Sequence, residues 1–258
     1  MISISSAALN AWIAGLLWPL SRILGLIATA PLFNNQKIPA RARICLGILL
    51  ALIVAPAVPT QPATDPMSLA GLLILMQQMV IGLAMGMAMR IVFAAVEMAG
   101  EIIGMTMGLG FATFYDPQSA GHSSAISQFL SLVMLMLYLA ANFHLMLISV
   151  LVDSFTTMPI GAGSLGGGME QLVSWGGRIF SAGVQLSLPV VAALLINNIA
   201  LGVLTRAAPQ LNIFGIGFPL AIGVGFVMIA LTLPYLAVPV ERLLQEGIDM
   251  AGQLAAPR

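Results

Sequence analysis

The chain has 258 residues, nine Lys and Arg, nine Asp and Glu, and no net charge. Only 7% of its residues are charged and 60% are hydrophobic, whereas about a quarter are charged in a soluble domain. This excludes a water-soluble fold, and charges scattered singly exclude the basic stripe by which nucleic acid is held, so no nucleic-acid partner is expected.

Two stretches, between Pro117 and Val152 and between Ala207 and Val240, carry no charged residue at all. Each is longer than the roughly 20 apolar residues that cross a bilayer, so membrane lipid is the surrounding medium. The expected fold class is all-α, a polytopic helical membrane protein of about six crossings with no sizeable soluble domain. Cys45 is the single cysteine, which rules out an internal disulfide and a cysteine metal cluster. His122 and His144 are far apart and lack ligand spacing to a third residue. No metal, cofactor or catalytic group is expected.

In chain order, a first helix is predicted over residues 8–30, interrupted by Pro19 and carrying Arg22 within its apolar run. Ala28-Thr29-Ala30 resembles a signal-peptidase site, but no basic residue precedes Arg22 and Pro31 would follow the cut, so the helix reads as retained. A second helix covers residues 42–55 and stops at Pro56, because proline lacks the donor and clashes with the preceding turn. Four prolines and Asp65 make residues 56–66 an extended connector. The third helix begins after Ser68, a plausible cap, and runs past Arg90, Glu97 and Glu101 towards Gly104, longer than one crossing needs. Residues 108–124 change texture to Gly, aromatic and polar, with Asp116-Pro117 in the middle. Helix 4 is predicted over residues 125–152. A Gly-rich loop follows at 156–168, then two long helices at 169–206 and 211–251. Basic Lys37, Arg41, Arg43, Arg90 and Arg206 alternate with acidic Asp65, Asp153 and Glu170, which by the positive-inside rule places the N-terminus outside.

Gly100, Gly104 and Gly108 recur every four residues, as do Gly82 and Gly86, so each set forms a face on which another backbone can approach closely. The partner is either a helix of this chain or a different subunit; spacing alone leaves both open. Glu97 and Glu101 share one face, with Arg90 nearly on the same side. Like charges at that spacing repel and need partners, for which Arg22 and Arg90 are the candidates. A structural ion pair, or a helix end beyond the lipid, is favoured over a proton relay, since coupled transporters usually break a helix around the charged site. Asn197 and Asn198, in the middle of an apolar helix, require protein or water contact because hydrocarbon offers no hydrogen bond.

The segment from Met105 through Met107, Gly108, Gly110, Phe111, Phe114, Tyr115 and Asp116 to Pro117 is the most unusual piece. Glycine gives backbone freedom, while Met and aromatic side chains give deformable bulk. Irregular backbone at membrane depth is tolerated inside protein or along a water-filled path, which favours a buried, pore-proximal position over an interfacial loop.

Arg22, Ala30-Pro31-Leu32-Phe33, Ile38-Pro39, Ala99-Gly100-Glu101-Ile102-Ile103-Gly104, Phe111-Ala112-Thr113-Phe114-Tyr115-Asp116-Pro117, His144, Leu188-Pro189 and Arg206-Ala207-Ala208-Pro209-Gln210-Leu211-Asn212-Ile213-Phe214 occur in one order. This ordered set resembles the FliR family of export-gate subunits of flagellar type III secretion over nearly the whole chain. Tyr115 stands where the family pattern carries valine, and the virulence-associated injectisome homologue is close in pattern. The resemblance implies one copy per hetero-oligomeric gate with FliP-like, FliQ-like and FlhB-like subunits. It implies a location in the bacterial inner membrane at the flagellar basal body, and unfolded polypeptides as export substrates. It further implies a FliP-like part over residues 1–165, a FliQ-like hairpin over 166–258, and a pore plug at about 108–123. The family gate is largely displaced towards the periplasm, which would make Arg90 and Glu97 inter-subunit contacts. No covalent chemistry is expected, and no phosphate-binding loop of the G-x-x-x-x-G-K-[ST] type is present in the sequence, so energy would come from partners. The rival reading is a secondary transporter of a small solute, with Glu97, Glu101 and His144 coupling ions; an intramembrane enzyme is a distant third.

Overall fold

The computed structural model describes residues 6–34, 38–58, 62, 64–111, 124–161, 166–208, 215 and 217–256. Their long elements are all helices: α1 (Ser6–Thr29), α2 (Ala40–Val54), α3 (Leu69–Thr106), α4 (Ala125–Ala140), α5 (Phe143–Thr157), α6 (Gly166–Trp175), α7 (Arg178–Ala207) and α8 (Phe218–Leu254). Local chemistry sets several of their ends. Ser68 caps α3, its Oγ accepting the Gly71 N–H at 3.1 Å. Pro56 terminates α2, which closes in a single 3₁₀ turn over Ala55–Ala57. Pro19, Pro189, Pro234 and Pro239 lie inside helices without ending them, as membrane-type helices allow.

One helix expected to be continuous is bent at a break of 64°, and another carries a local interruption. The stretch read as one helix over 125–152 breaks at Ala141-Asn142, where Asn142 takes a left-handed backbone with φ 59°. A left-handed residue cannot continue a right-handed helix, and asparagine adopts that conformation more readily than other side chains. The helix expected over 169–206 is present as one apolar stretch, Gly167–Ala207, interrupted locally at Gly176-Gly177 between α6 and α7. There the Gly176 N–H is shared between the Leu172 and Val173 carbonyls, both at 3.1 Å, which tightens the last turn. The start expected at Leu211 lies outside the described residues.

Among the described residues four helical stretches are long and apolar enough to cross a membrane: Ala40–Ala57, Leu69–Thr106, Gly167–Ala207 and Phe218–Leu254. A fifth is reached if the broken α4–α5 pair counts as one span. The sixth expected crossing falls on α1, whose described apolar part is only Gly15–Thr29. With 38 and 37 residues, α3 and α8 are each about 55 Å long. A hydrocarbon core of ~30 Å accommodates neither, even tilted, so part of each helix projects beyond it. Protein buries most of the apolar window of α3, whereas α2, α7 and α8 are largely bare.

The chain forms two compact units, each from separated pieces: Met1–Ile91, Ala141–Gly176 and Leu244–Arg258 in the first, Val92–Ala140 and Gly177–Leu243 in the second. In the first, α1 lies against the N-terminal part of α3 with backbone touching backbone. A Cβ on Gly82 would strike the Arg22 carbonyl, and one on Gly86 would meet the Leu26 O and Ala30 N at 2.8 and 2.9 Å. From the opposite side Gly25 receives the Met79 carbonyl, and Thr29 Oγ1 donates to the Leu83 carbonyl at 3.1 Å. The Gly82/Gly86 face is thus a small-residue contact within the chain. Trp18, Ile23, Ile81, Met85, Leu147 and Phe155 fill the fully buried interior of this unit. In the second unit Phe93 and Tyr138 meet edge to face, 5.7 Å between centroids and 78° between planes, a favoured aromatic geometry.

Candidate functional site

The C-terminal end of α3 and the start of α4, both in the second unit, bracket the Gly-rich segment. Ser124 caps α4 by accepting the Ser127 N–H on its Oγ at 3.1 Å. Its own N–H donates to Glu101 Oε1 at 2.8 Å. A carboxylate at a helix N-terminus faces the positive end of the macrodipole and is stabilised there. Ser127 Oγ donates to the Glu97 carbonyl at 2.9 Å, one turn back along α3. These bonds need the two backbones close together, and glycine provides the room. A Cβ on Gly100 would overlap the Ser127 backbone, and one on Gly104 would lie 3.0 Å from Ser124 Oγ. Gly100 and Gly104 therefore contact this chain's own α4.

Gly108 acts differently from those two. Its φ of 86° ends α3 in the left-handed region, where its N–H bonds to the Met105 carbonyl at 3.0 Å. The side chains just before it diverge: Met105 is 67% exposed, whereas Met107 is fully buried. Met107 occupies a notch left by Gly225 of α8; a Cβ there would lie 2.6–2.7 Å from the Met107 Cγ, Cε and Sδ. A 3₁₀ turn at Leu109–Phe111 follows. Phe114, Tyr115, Asp116 and Pro117 lie outside the described residues, as does the side chain of Phe111. The segment thus leaves from a seated methionine and returns at the serine that caps α4.

In the first unit, Arg22 is fully buried. Its Nε donates to Gln78 Oε1 at 2.8 Å, Nη1 to the Ser154 carbonyl and Oγ at 2.7 and 2.9 Å, and Nη2 to the Met158 carbonyl at 2.9 Å. The guanidinium lies 4.3 Å above the Phe155 ring centroid, within cation–π range. Considered from the sequence as a partner for Glu97 or Glu101, Arg22 instead meets neutral acceptors among the described residues. Two of them are carbonyls at the C-terminal end of α5, where the helix dipole is negative and a cation is favoured. Arg90 is exposed on α3, Glu97 and Glu101 are half-buried, and His144 is half-buried on α5. Asn197 is half-buried and Asn198 exposed on α7.

Several participants had not been singled out beforehand. Ser124 carried a signal, a serine immediately before an apolar helical run. Gln78, fully buried, is an amide in an apolar helix, the same signal that Asn197 and Asn198 carry. Gly225, Ser154 and the Met158 carbonyl carry no signal in their neighbouring residues.

Long apolar helices, several of them bare of protein cover, with a buried Arg22 held by neutral groups among the described residues, define a helical polytopic membrane protein. Residues 13–247 match the family described as bacterial export proteins, family 1. The chain is 41% identical over 255 residues to the flagellar biosynthetic protein FliR of Pectobacterium carotovorum subsp. carotovorum, covering 98% of this chain and 97% of that one. FliR of Escherichia coli strain K12 gives the same identity and coverage. FliR of Bacillus subtilis strain 168 is 30% identical over 239 residues, 91% of this chain and 92% of the relative. The chain belongs to the bacterial export protein family 1, and is a membrane-embedded, non-enzymatic component of flagellar protein export.

Proposed function

We propose that this chain is an export-gate subunit that forms part of the conduit for unfolded flagellar proteins across the bacterial inner membrane. It sits in the flagellar basal body as one copy per complex, beside FliP-like, FliQ-like and FlhB-like subunits. Residues 1–165 act as the FliP-like part and 166–258 as the FliQ-like hairpin. Residues at about 108–123 are the pore plug, with Met105, Met107, Phe111, Phe114, Tyr115, Asp116 and Pro117 as its base and body.

The observation that carries this reading is the way the segment is mounted. Met107 is seated in the Gly225 notch and the Ser124 amide is held by Glu101, so both ends have a firm base. Between them lies a glycine-rich sequence with bulky apolar side chains, a composition suited to a seal that moves aside while its base stays in place. The flagellar rather than the virulence system is favoured by the names of the three relatives above, each a flagellar biosynthetic protein. The small-solute transporter is disfavoured because Glu101, one of its required ion-coupling groups, is engaged as a helix cap.

The test is deletion of residues 110–119, co-expressed with the sister subunits. Assembly should persist while ion conductance across the membrane rises, since a conduit wide enough for a polypeptide must be sealed at rest. A correctly assembled deletion complex with unchanged conductance would return the segment to an interfacial loop.

A further inference from the structure

Along α8 the buried residues fall into two groups. Ala221, Gly225 and Ile229 are buried towards its start, and Val240, Leu243 and Leu244 further on. From Ala230 to Pro239 no residue is buried. The same stretch holds both interior prolines, Pro234 and Pro239. Proline supplies no N–H, so the carbonyls one turn back, those of Ala230 and Tyr235, lose their usual helical donor. Just before them Thr232 Oγ1 donates to the Met228 carbonyl at 2.7 Å, a back-bond that bends and slightly destabilises helices. The helix is therefore softest where it is least supported.

Beside the soft stretch lies empty space. A cavity of about 100 Å³ is walled by Leu233, Ala237 and Val240 of α8, and across from them by Val96 and Ala99 of α3 and Met134 of α4, among others. Its lining side chains are all aliphatic apart from Met134, so water finds no partner and the cavity stays dry. Unfilled volume in a core lowers stability, and here it gives a weakened helix room to move.

We propose that α8 bows into this cavity about Pro234 and Pro239, and that the bow lifts the Gly225 notch off Met107. A helix convex towards the cavity splays its ends away from it. The stretch from Gly225 to Pro234 is about 13 Å long, so a kink of ~20° displaces Gly225 by about 4–5 Å. Met107 is packed within 2.6–2.7 Å of where a Gly225 Cβ would stand, and a movement of that size empties the notch. This rests on the plug reading, in which Met107 is the base of the seal. The cavity then controls how readily that base is released.

Methionine oxidation reads the movement directly. Met107 is fully buried and Met105 is 67% exposed, so the second is an internal reference for the first. The complex, co-expressed with its sister subunits and purified, is treated with dilute hydrogen peroxide, and oxidation of both residues is followed by peptide mass. Pro234→Ala restores a backbone donor and should slow Met107 oxidation roughly twofold to tenfold, the equilibrium effect of one hydrogen bond, with Met105 unchanged. Ala237→Leu fills the cavity and should slow it likewise; should that variant not assemble, Ala237→Val tests the same wall. Val238→Leu adds bulk at a position 64% exposed and should leave the rate alone. Met107 oxidation at the wild-type rate in the Pro234 and Ala237 variants would overturn the proposal. So would an equal slowing by Val238→Leu, or a wild-type Met107 that stays intact after Met105 is fully oxidised. The deletion of residues 110–119 separates the two readings. Conductance that rises on deletion, with Met107 oxidation indifferent to the Pro234 and Ala237 variants, sinks this inference alone. Unchanged conductance on deletion, with Met107 oxidation slowed by both, sinks the plug reading and leaves the hinge standing.

Discussion

Replacement of Arg22 by leucine provides a quantitative test of the first unit. The guanidinium satisfies Gln78 Oε1, the Ser154 carbonyl and Oγ, and the Met158 carbonyl. Not all of these are stranded when it leaves. The Ser154 carbonyl still accepts the Met158 N–H at 3.0 Å, and Ser154 Oγ still donates to the Leu151 carbonyl. Gln78 Oε1 and the Met158 carbonyl lose their described partner, at about 1–3 kcal/mol for each buried acceptor left unsatisfied. Loss of the cation over Phe155 adds roughly 0.5–2 kcal/mol. Against these stands the relief of no longer burying a charge, which is worth several kcal/mol and cancels part of the sum. The net expectation is a loss of about 2–4 kcal/mol, or roughly 5–15 °C in Tm if the soluble-protein scaling applies in detergent. The assay is thermal unfolding of the purified complex, followed by tryptophan emission because Trp18 is fully buried in this unit. Arg22→Leu combined with Gln78→Leu should recover about 1–3 kcal/mol by removing one stranded amide. A single variant as stable as wild type, or a double variant worse than the single, would refute the assignment of Arg22 as the group that satisfies these acceptors.

The remaining expectations concern contacts between backbones and the ends of helices. Gly225→Val should expel Met107 from its notch, at a cost of about 1–3 kcal/mol as an overpacked site; oxidation of Met107, read by peptide mass, should rise with it, and a Met107 still protected would show the notch is not its seat. Glu101→Gln keeps an acceptor for the Ser124 amide and loses the charge at the helix end, roughly 0.3–1 kcal/mol, whereas Glu101→Ala loses both and should cost about twice as much or more. Equal Tm values for these two variants would remove the capping role. Gly82→Leu should separate α1 from α3, leaving the chain inserted but exposing the buried Trp18, whose emission should shift to the red; unchanged emission would contradict the close backbone contact. Gly104→Leu should loosen the start of α4 and lower recovery of the complex, and normal recovery would mean that contact tolerates a full side chain.

The membrane class was legible from composition, and the cap at Ser68 and the stop at Pro56 from single residues, because each depends on chemistry within one helical turn. The excess length of α3 was legible for a similar reason: an apolar run is a local property of the chain. The break at Asn142 was not, since it sits in an apolar run that a helix could have continued through, yet the chain bends there by 64° at a left-handed residue. The glycine spacing at Gly82/Gly86 and Gly100/Gly104 announced close backbone approach but not the approaching backbone, which proved to be α1 in one case and α4 in the other. Arg22 is the sharpest instance. Its type and surroundings announced a buried charge in need of partners, and carboxylates were the natural candidates. The partners are an amide 56 residues away and oxygens 132 and 136 residues away. Which oxygens reach a buried guanidinium depends on the helix end that packing delivers to it, and no spacing along the chain encodes that.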